Sequence, residues 1–154
     1  MADFASLPAA ESTYFAQLTA SAGTLDIQLP NAESVGVFDF LIVARNSNGA
    51  VESDLFFRPN ALATNLRSTA SASDIYIGTM RGGGIAVIQG KMWCRTGSTR
   101  YLICNYGTVS GPAASGSNAG EWTDTTTPLT SARLVGTLDA GSKIMFWPSG
   151  ARTR

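Results

Sequence analysis

Histidine is missing from this chain of 154 residues, and charge is scarce, since Asp, Glu, Lys and Arg make up only 14%. A typical soluble domain carries about 25% of these residues. The lack of histidine excludes Ser-His-Asp and Cys-His catalytic groups and any histidine-ligated metal site. The longest apolar run covers residues 40–44, whereas a membrane-spanning helix needs about 20 residues. We therefore expect no catalytic centre, no metal, no cofactor and no membrane-spanning segment.

The charges that are present are unevenly distributed. Eleven acids balance eleven bases, but residues 1–44 hold five acids and no base. Two interpretations stay open: the acidic part pairs with the basic remainder inside one fold, or it pairs with a neighbouring subunit. Overall neutrality disfavours nucleic acid as a partner, because proteins that bind it carry a basic excess. Neutrality also removes the electrostatic repulsion between copies of the chain, which favours a protein that is part of an assembly.

Two cysteines, Cys94 and Cys104, lie in a segment that predicts a β-hairpin turning near Gly97. A two-residue turn places them on opposite faces, and a three-residue loop places them on one face but diagonally. Neither register brings the Cα atoms within the disulfide distance of about 4.4–6.8 Å. We expect two free thiols, as in a reducing compartment, with a crosslink between subunits as the alternative. No Lys or Arg precedes Arg45, so we also expect no secretory signal.

Short apolar alternations separated by Gly, Asn, Pro and Ser predict an all-β protein. In the clearest strand, residues 24–29, Leu and Ile alternate with Asp and Gln. Further strands are predicted at 35–44, 51–58, 75–80, 85–94, 101–106, 131–138 and 143–147, and only residues 11–18 suggest a short helix. Eight or nine antiparallel strands close most simply as a two-sheet sandwich of the jelly-roll type, which we place at residues 23–148.

Two terminal segments and one loop fall outside the predicted strands. Residues 1–22 form either an N-terminal arm that docks on a neighbouring subunit or an extra edge strand of the chain's own sheet. Residues 107–120 carry no charge and predict a long loop, and residues 149–154 form a C-terminal tail. Trp122 is the best candidate for an exposed ring, while Trp93 and Trp147 are expected in the core. The candidate partner contacts are Phe4, Leu7, Tyr14, Phe15, Trp122, Arg152 and Arg154.

From residue 54 onward the motifs follow an order found in a known group of proteins. Leu-Phe-Phe-Arg-Pro-Asn at 55–60 is followed by two central strands, a Gly/Ser loop, Gly-Glu-Trp at 120–122 and Leu-Thr-Ser at 129–131. Ala-Gly-Ser-Lys at 140–143 then leads into Ile-Met-Phe-Trp-Pro-Ser-Gly at 144–150. This order resembles the small β-sandwich proteins of tailed bacteriophage virions, which include capsid decoration (cement) proteins and tail or fibre modules.

The resemblance implies a non-enzymatic structural protein, most simply a cement protein on the capsid exterior that is synthesised in the host cytoplasm. Its partners would be the major capsid protein and copies of itself, as a homotrimer, without nucleic acid, membrane or cofactor. A tail or head-fibre component is the near alternative. The other alternative is a carbohydrate-binding module that presents the 107–120 loop and Trp122 to a host surface glycan.

Overall fold

The computed structural model describes residues 13–47, 52–68, 71, 74–81, 83–109 and 113–149. These residues contain one short helix, α1, at Ala32–Val35, and eleven strands. The strands are β1 Tyr14–Gln17, β2 Ala22–Gln28, β3 Val37–Arg45, β4 Ser53–Pro59, β5 Leu66–Ser68, β6 Ile75–Met80, β7 Ile85–Trp93, β8 Arg100–Val109, β9 Ser115–Trp122, β10 Ser131–Leu138 and β11 Lys143–Pro148. Within these ranges no helix has the length and apolar character needed to cross a bilayer.

The strands form two antiparallel sheets. The large sheet has the order β1-β11-β3-β7-β8-β9-β5, and the small sheet has the order β2-β10-β4-β6. The predicted two-sheet sandwich is confirmed, with eleven described strands rather than eight or nine. Eight of the strands have the jelly-roll order. Four of them, β1-β11-β3-β7, belong to the large sheet and face the other four, β2-β10-β4-β6, and the chain crosses repeatedly from one sheet to the other. The other three strands, β8, β9 and β5, widen the large sheet beyond it.

The core lies between the two sheets and is rich in phenylalanine. In β3 the alternate residues Phe38, Phe40 and Ile42 are buried, as expected for a strand with one face inward. Phe40 stacks on Phe57 of the small sheet with ring centroids 6.4 Å apart, and Phe146 of β11 lies 5.5 Å from Phe40. Each such buried side chain stabilises the fold by roughly 1.5–3 kcal/mol. These rings hold the two sheets together at the centre of the sandwich.

The described part of the N-terminal segment is an edge strand of the chain's own sheet. Strand β1 pairs with β11, with Tyr14 opposite Phe146, so the helix predicted at 11–18 is wrong. Tyr14 packs against Phe38 at 5.9 Å, and its hydroxyl donates to the carbonyl of Pro30 at 2.7 Å. From residue 13 on, the chain therefore stays with its own domain. Residues 1–12, which include Phe4 and Leu7, lie outside the described residues, as do Arg152 and Arg154.

The loop predicted at 107–120 is wrong over most of its length. Strand β8 continues to Val109, and β9 pairs with it from Ser115 to Trp122. The glycines that suggested a loop are needed inside the sandwich instead. A Cβ on Gly116 would lie 2.7 Å from the Tyr106 ring, and one on Gly120 would lie 2.3 Å from the Ile75 side chain. Side chains from other strands occupy the space beside these glycines, so the segment lacks the apolar alternation of an ordinary strand.

The β7–β8 hairpin has the register that places both cysteines on one face. Lys91 lies opposite Ile103, and Gly90 lies opposite Cys104. Cys94 and Cys104 are free and buried, and they are separated along the inner face rather than facing each other. Burial raises the pKa of Cys94 to about 12 and that of Cys104 to about 11. Both thiols therefore stay protonated at neutral pH and are poor nucleophiles.

Acids from the first 44 residues pair with bases from the rest of the same chain. The three pairs are Asp26–Arg133 at 2.6 Å, Glu33–Arg100 at 3.0 Å and Asp39–Lys91 at 2.6 Å. For these acids the first interpretation of the uneven charge distribution holds, because the charges neutralise each other inside one fold. The remaining two acids, Asp3 and Glu11, lie outside the described residues.

Candidate functional site: the outer face of the large sheet

The outer face of the small sheet carries paired charges, together with Phe56, which packs against Tyr76 with ring centroids 6.0 Å apart; neither ring is among the exposed large hydrophobic residues. Asp26 on β2 accepts two hydrogen bonds from Arg133 on β10, at 2.6 and 2.8 Å. Arg133 lies opposite Arg58 on β4, and Arg58 donates to Asp74 at 2.5 and 3.1 Å. Each of the two facing arginines is therefore neutralised by its own carboxylate, and paired charges of this kind are typical of a sheet face in contact with water.

The outer face of the large sheet is different, because large apolar side chains project from it into solvent. Seven large hydrophobic residues are exposed in the described part of the chain, and six of them lie on this face. These six are Phe15, Val87, Trp93, Tyr101, Ile103 and Val109. The described neighbours of Val87, Trp93, Tyr101 and Ile103 in sequence are buried, and those of Phe15 are partly buried against the core, which fixes the outward direction of these side chains by the alternation of a strand. Clustered exposed apolar residues mark interaction surfaces more often than residues that are scattered singly.

One end of this face forms an aromatic patch, which we define as Val37, Trp93, Tyr101 and Ile103. Trp93 lies opposite Val37 in the β3–β7 ladder. The exposed fractions are 36% for Trp93, 51% for Tyr101 and 48% for Ile103. The patch lines a shallow depression of about 720 Å³. All four residues lie on or next to paired strands, so the patch is held in shape by the sheet.

The middle of the face forms a polar groove, which we define as Asp39, Gln89, Lys91, Asn105 and Trp147. These residues line a second depression of about 950 Å³. Trp147 lies opposite Asp39, Asp39 opposite Lys91, and Gln89 opposite Asn105. Adjacent strands β11, β3, β7 and β8 thus present the five side chains side by side on one surface.

Several polar groups in the polar groove have no hydrogen-bond partner within the part of the chain that the structure describes. Lys91 Nζ donates to Asp39 Oδ1 and to Ser149 Oγ, both at 2.6 Å. Asn105 Oδ1 accepts from Ser117 Oγ at 2.6 Å. Among the described residues, no partner contacts the Gln89 amide, Asn105 Nδ2 or Asp39 Oδ2 within hydrogen-bond distance. The groove therefore presents both donors and acceptors to a bound molecule.

The tryptophans occupy the opposite positions from those expected. Trp122, predicted as an exposed contact, is 2% exposed, so that prediction is wrong. Trp93 and Trp147, predicted in the core, lie on the outer face, and that prediction is also wrong. Phe15 lies on the same outer face and is exposed. The tryptophans were misplaced because the inward or outward direction of a strand residue depends on a register that the tertiary pairing sets.

Trp122 is buried because it supports Arg100, which the sequence analysis missed. The Arg100 side chain is 3% exposed, and its guanidinium lies 4.3 Å from the Trp122 ring. It donates to the carbonyls of Cys94 at 3.1 Å, Asp124 at 2.8 Å and Thr127 at 2.7 Å. The sequence did hold a signal. In the strand that follows, every second residue points inward, and Arg100 falls at one of these inward positions. This arginine joins the β7–β8 turn to residues 123–130 at the end of the sandwich that carries the aromatic patch.

Glu33, whose side chain is 25% exposed, completes the cluster around Arg100. Its carboxylate accepts from Arg100 at 3.0 Å and from the Leu129 backbone at 2.9 Å, and it also accepts from Thr96. Burial by itself raises the pKa of Glu33, but the hydrogen bonds from Thr96 and Leu129 and the charge of Arg100 outweigh it, and the net pKa is lowered. Glu33 therefore stays ionised and links α1 to two other segments at this end of the sandwich.

The described residues contain no group of three or more Cys, Asp or Glu side chains that could hold a metal ion. The acids of the large-sheet face instead lie against bases, Asp39 against Lys91 and Glu121 against Arg67. The arrangement on this face is suited to binding through rings, amides and paired charges.

Comparisons with known proteins add little to this description. No protein-family model matches the chain, and no curated protein matches it. One similar solved structure is titled "Crystal structure of botulinum neurotoxin serotype C1 binding domain", with 5% sequence identity and a TM-score of 0.26. The match covers 88% of this chain and 44% of that one, so this chain spans less than half of its length. Structural similarity at this TM-score says nothing about the function of this chain.

Proposed function

We propose that this chain is a non-enzymatic structural protein of a tailed-bacteriophage virion, most simply a cement protein that binds the capsid exterior. The order of motifs from residue 54 onward supports the family, and the aromatic patch supports the mode of binding. The proposed partners are the major capsid protein and copies of the chain itself, as a homotrimer assembled after synthesis in the host cytoplasm.

The contrast between the two outer faces is the observation that carries this proposal. The small sheet presents paired charges such as Asp26–Arg133, whereas the large sheet exposes Trp93, Tyr101 and Ile103 close together. Aromatic side chains are enriched at protein interfaces, and a few such residues supply most of the binding free energy. We therefore expect the aromatic patch to dock on the capsid and the small sheet to face water.

The test is binding of the purified chain to capsids assembled without it, measured by co-sedimentation. We expect Tyr101→Ala combined with Ile103→Ala to weaken binding at least about thirtyfold, since a single interface anchor contributes roughly 2 kcal/mol or more. Val109→Ala is the matched control, because Val109 is 57% exposed on the same face but lies outside the patch. Unchanged binding by the double variant would contradict docking through the patch.

A second measurement tests self-association. Light scattering of a homotrimer should give a mass near three times 16.1 kDa, and a monomer that also fails to trimerise on capsids would remove the homotrimer from the proposal. If the chain bound no capsid preparation at all, the virion role itself would be lost.

A further inference from the structure

We propose that the polar groove binds a neutral saccharide, with one sugar ring stacked on Trp147 and its hydroxyl groups bonded to Gln89, Asn105 and Asp39. This site lies beside the aromatic patch that carries the proposed docking, and Ile103 lines both depressions. The site adds a ligand class to the chain, and the contacts proposed for the sugar use none of the four patch residues.

The groove is an open, shallow depression of about 950 Å³, which leaves room for a few sugar rings lying along the face. A protein interface has an apolar centre and a polar rim. Here polar Asp39, Gln89, Lys91 and Asn105 lie in the middle of the face, among apolar Leu41, Ile103 and Ala119. A lining in which polar and apolar groups alternate suits a small ligand that carries both hydroxyl and C–H groups.

The chemistry of the lining matches both aspects of a sugar. The faces of a pyranose ring carry C–H groups that pack on an aromatic ring, and Trp147 supplies that ring at one side of the groove. The sugar hydroxyls both donate and accept hydrogen bonds. The Gln89 amide offers both functions, Asn105 Nδ2 donates, and Asp39 Oδ2 accepts, and none of these groups has a partner among the described residues.

The charges in the groove indicate that the ligand is neutral. Lys91 is the one cation of the groove, and its ammonium already donates to Asp39 Oδ1 and Ser149 Oγ, both at 2.6 Å. An acidic sugar would have to compete with Asp39 for Lys91 and would lie against the uncompensated carboxylate that remained. A neutral sugar leaves the ion pair in place.

The groove is also preorganised. Its five side chains come from β3, β7, β8 and β11, which are continuous neighbours in the large sheet. The paired strands fix the spacing of these positions before the ligand arrives, and hydrogen bonds hold the side chains of Asp39, Lys91 and Asn105, so the binding free energy spent on ordering falls mainly on Gln89 and Trp147.

The experiment is a printed glycan array that holds neutral and acidic oligosaccharides, probed with the full chain, followed by calorimetric titration of the best soluble hit. We expect a neutral saccharide to bind. We also expect Trp147→Ala and the double variant Gln89→Ala with Asn105→Ala each to weaken that binding about tenfold or more. Far-UV circular dichroism checks that each variant is folded, and the double variant decides the question if Trp147→Ala does not fold.

The control separates this proposal from the docking proposal. Tyr101→Ala alters the aromatic patch alone, so it should leave saccharide affinity unchanged while it weakens capsid binding. No neutral saccharide bound on the array, or full affinity in the double variant, would overturn the saccharide site and leave capsid docking unaffected.

Discussion

Replacement of Arg100 by alanine should lower the free energy of unfolding by about 2–4 kcal/mol, because it removes the shared donor of three carbonyls and the cation above Trp122. Arg100 is 3% exposed, whereas its partner Glu33 is 25% exposed, so water can take over the outer contacts but not the inner one. The change leaves three backbone carbonyls and part of the Glu33 carboxylate without a donor.

The magnitude follows from counting those groups. The carbonyls of Cys94, Asp124 and Thr127 lie 2.7–3.1 Å from the guanidinium. Loss of the buried bond to Cys94 costs about 1 kcal/mol or more, and loss of the two partly buried bonds costs up to about 1 kcal/mol each. Loss of the guanidinium from above Trp122, 4.3 Å away, adds roughly 1 kcal/mol. The total is about 2–4 kcal/mol, and the Glu33 carboxylate adds little to it, because it is partly exposed and keeps its hydrogen bonds from Leu129 and Thr96.

Urea unfolding followed by tryptophan fluorescence measures the effect, because Trp122 lies beside the altered group. Arg67→Ala is the matched control, since Arg67 is 73% exposed and lies 3.7 Å from Glu121, and an exposed pair contributes less than about 1 kcal/mol. Arg100→Lys should fall between the two, because lysine keeps the charge but lacks the planar fork of donors. If Arg100→Ala cost no more than Arg67→Ala, the cluster around Arg100 would have no role in stability.

Two further predictions concern titratable groups. The lowered pKa of Glu33 means that its ionised form stabilises the fold above the ordinary value of 4.5, and this contribution is lost as the pH falls through the folded-state pKa. The difference in urea midpoint between the wild type and Glu33→Gln should therefore narrow from pH 7 to pH 3, and a constant difference would contradict the assignment. Burial raises the pKa of Cys94 to about 12 and that of Cys104 to about 11. Both thiols should therefore resist a thiol reagent at pH 8 in the folded protein and react fully in urea. Rapid labelling of the folded protein would show that the thiols are accessible and contradict this prediction.

The sequence predicted well those strands whose own residues alternate. The prediction at 75–80 coincides with β6, and the prediction at 131–138 coincides with β10. In both strands turn residues and branched or apolar side chains carry the pattern locally. The all-β class and the sandwich follow from these segments, because a single domain of this length needs two layers to bury their apolar faces.

The sequence did not predict the strands whose burial depends on distant residues. Strand β9 looks like a Gly/Ser loop, because Gly116 and Gly120 leave room for Tyr106 and Ile75 from other strands. Strand β1 looks like a helical turn, yet it pairs with β11, which lies more than a hundred residues later in the chain. No local pattern contains these partners.

The candidate site also depends partly on local sequence and partly on the pairing of distant strands. The sequence by itself determined the supply of side chains: little charge, no histidine, and tryptophans within or next to the strands. The tertiary structure decided which of these side chains face solvent, because a shift of one residue in strand register exchanges the two faces. That register buried Trp122 beneath Arg100 and turned Trp93 and Trp147 outward. The aromatic patch and the polar groove both exist because the large sheet pairs in this register, and the sequence alone did not reveal it.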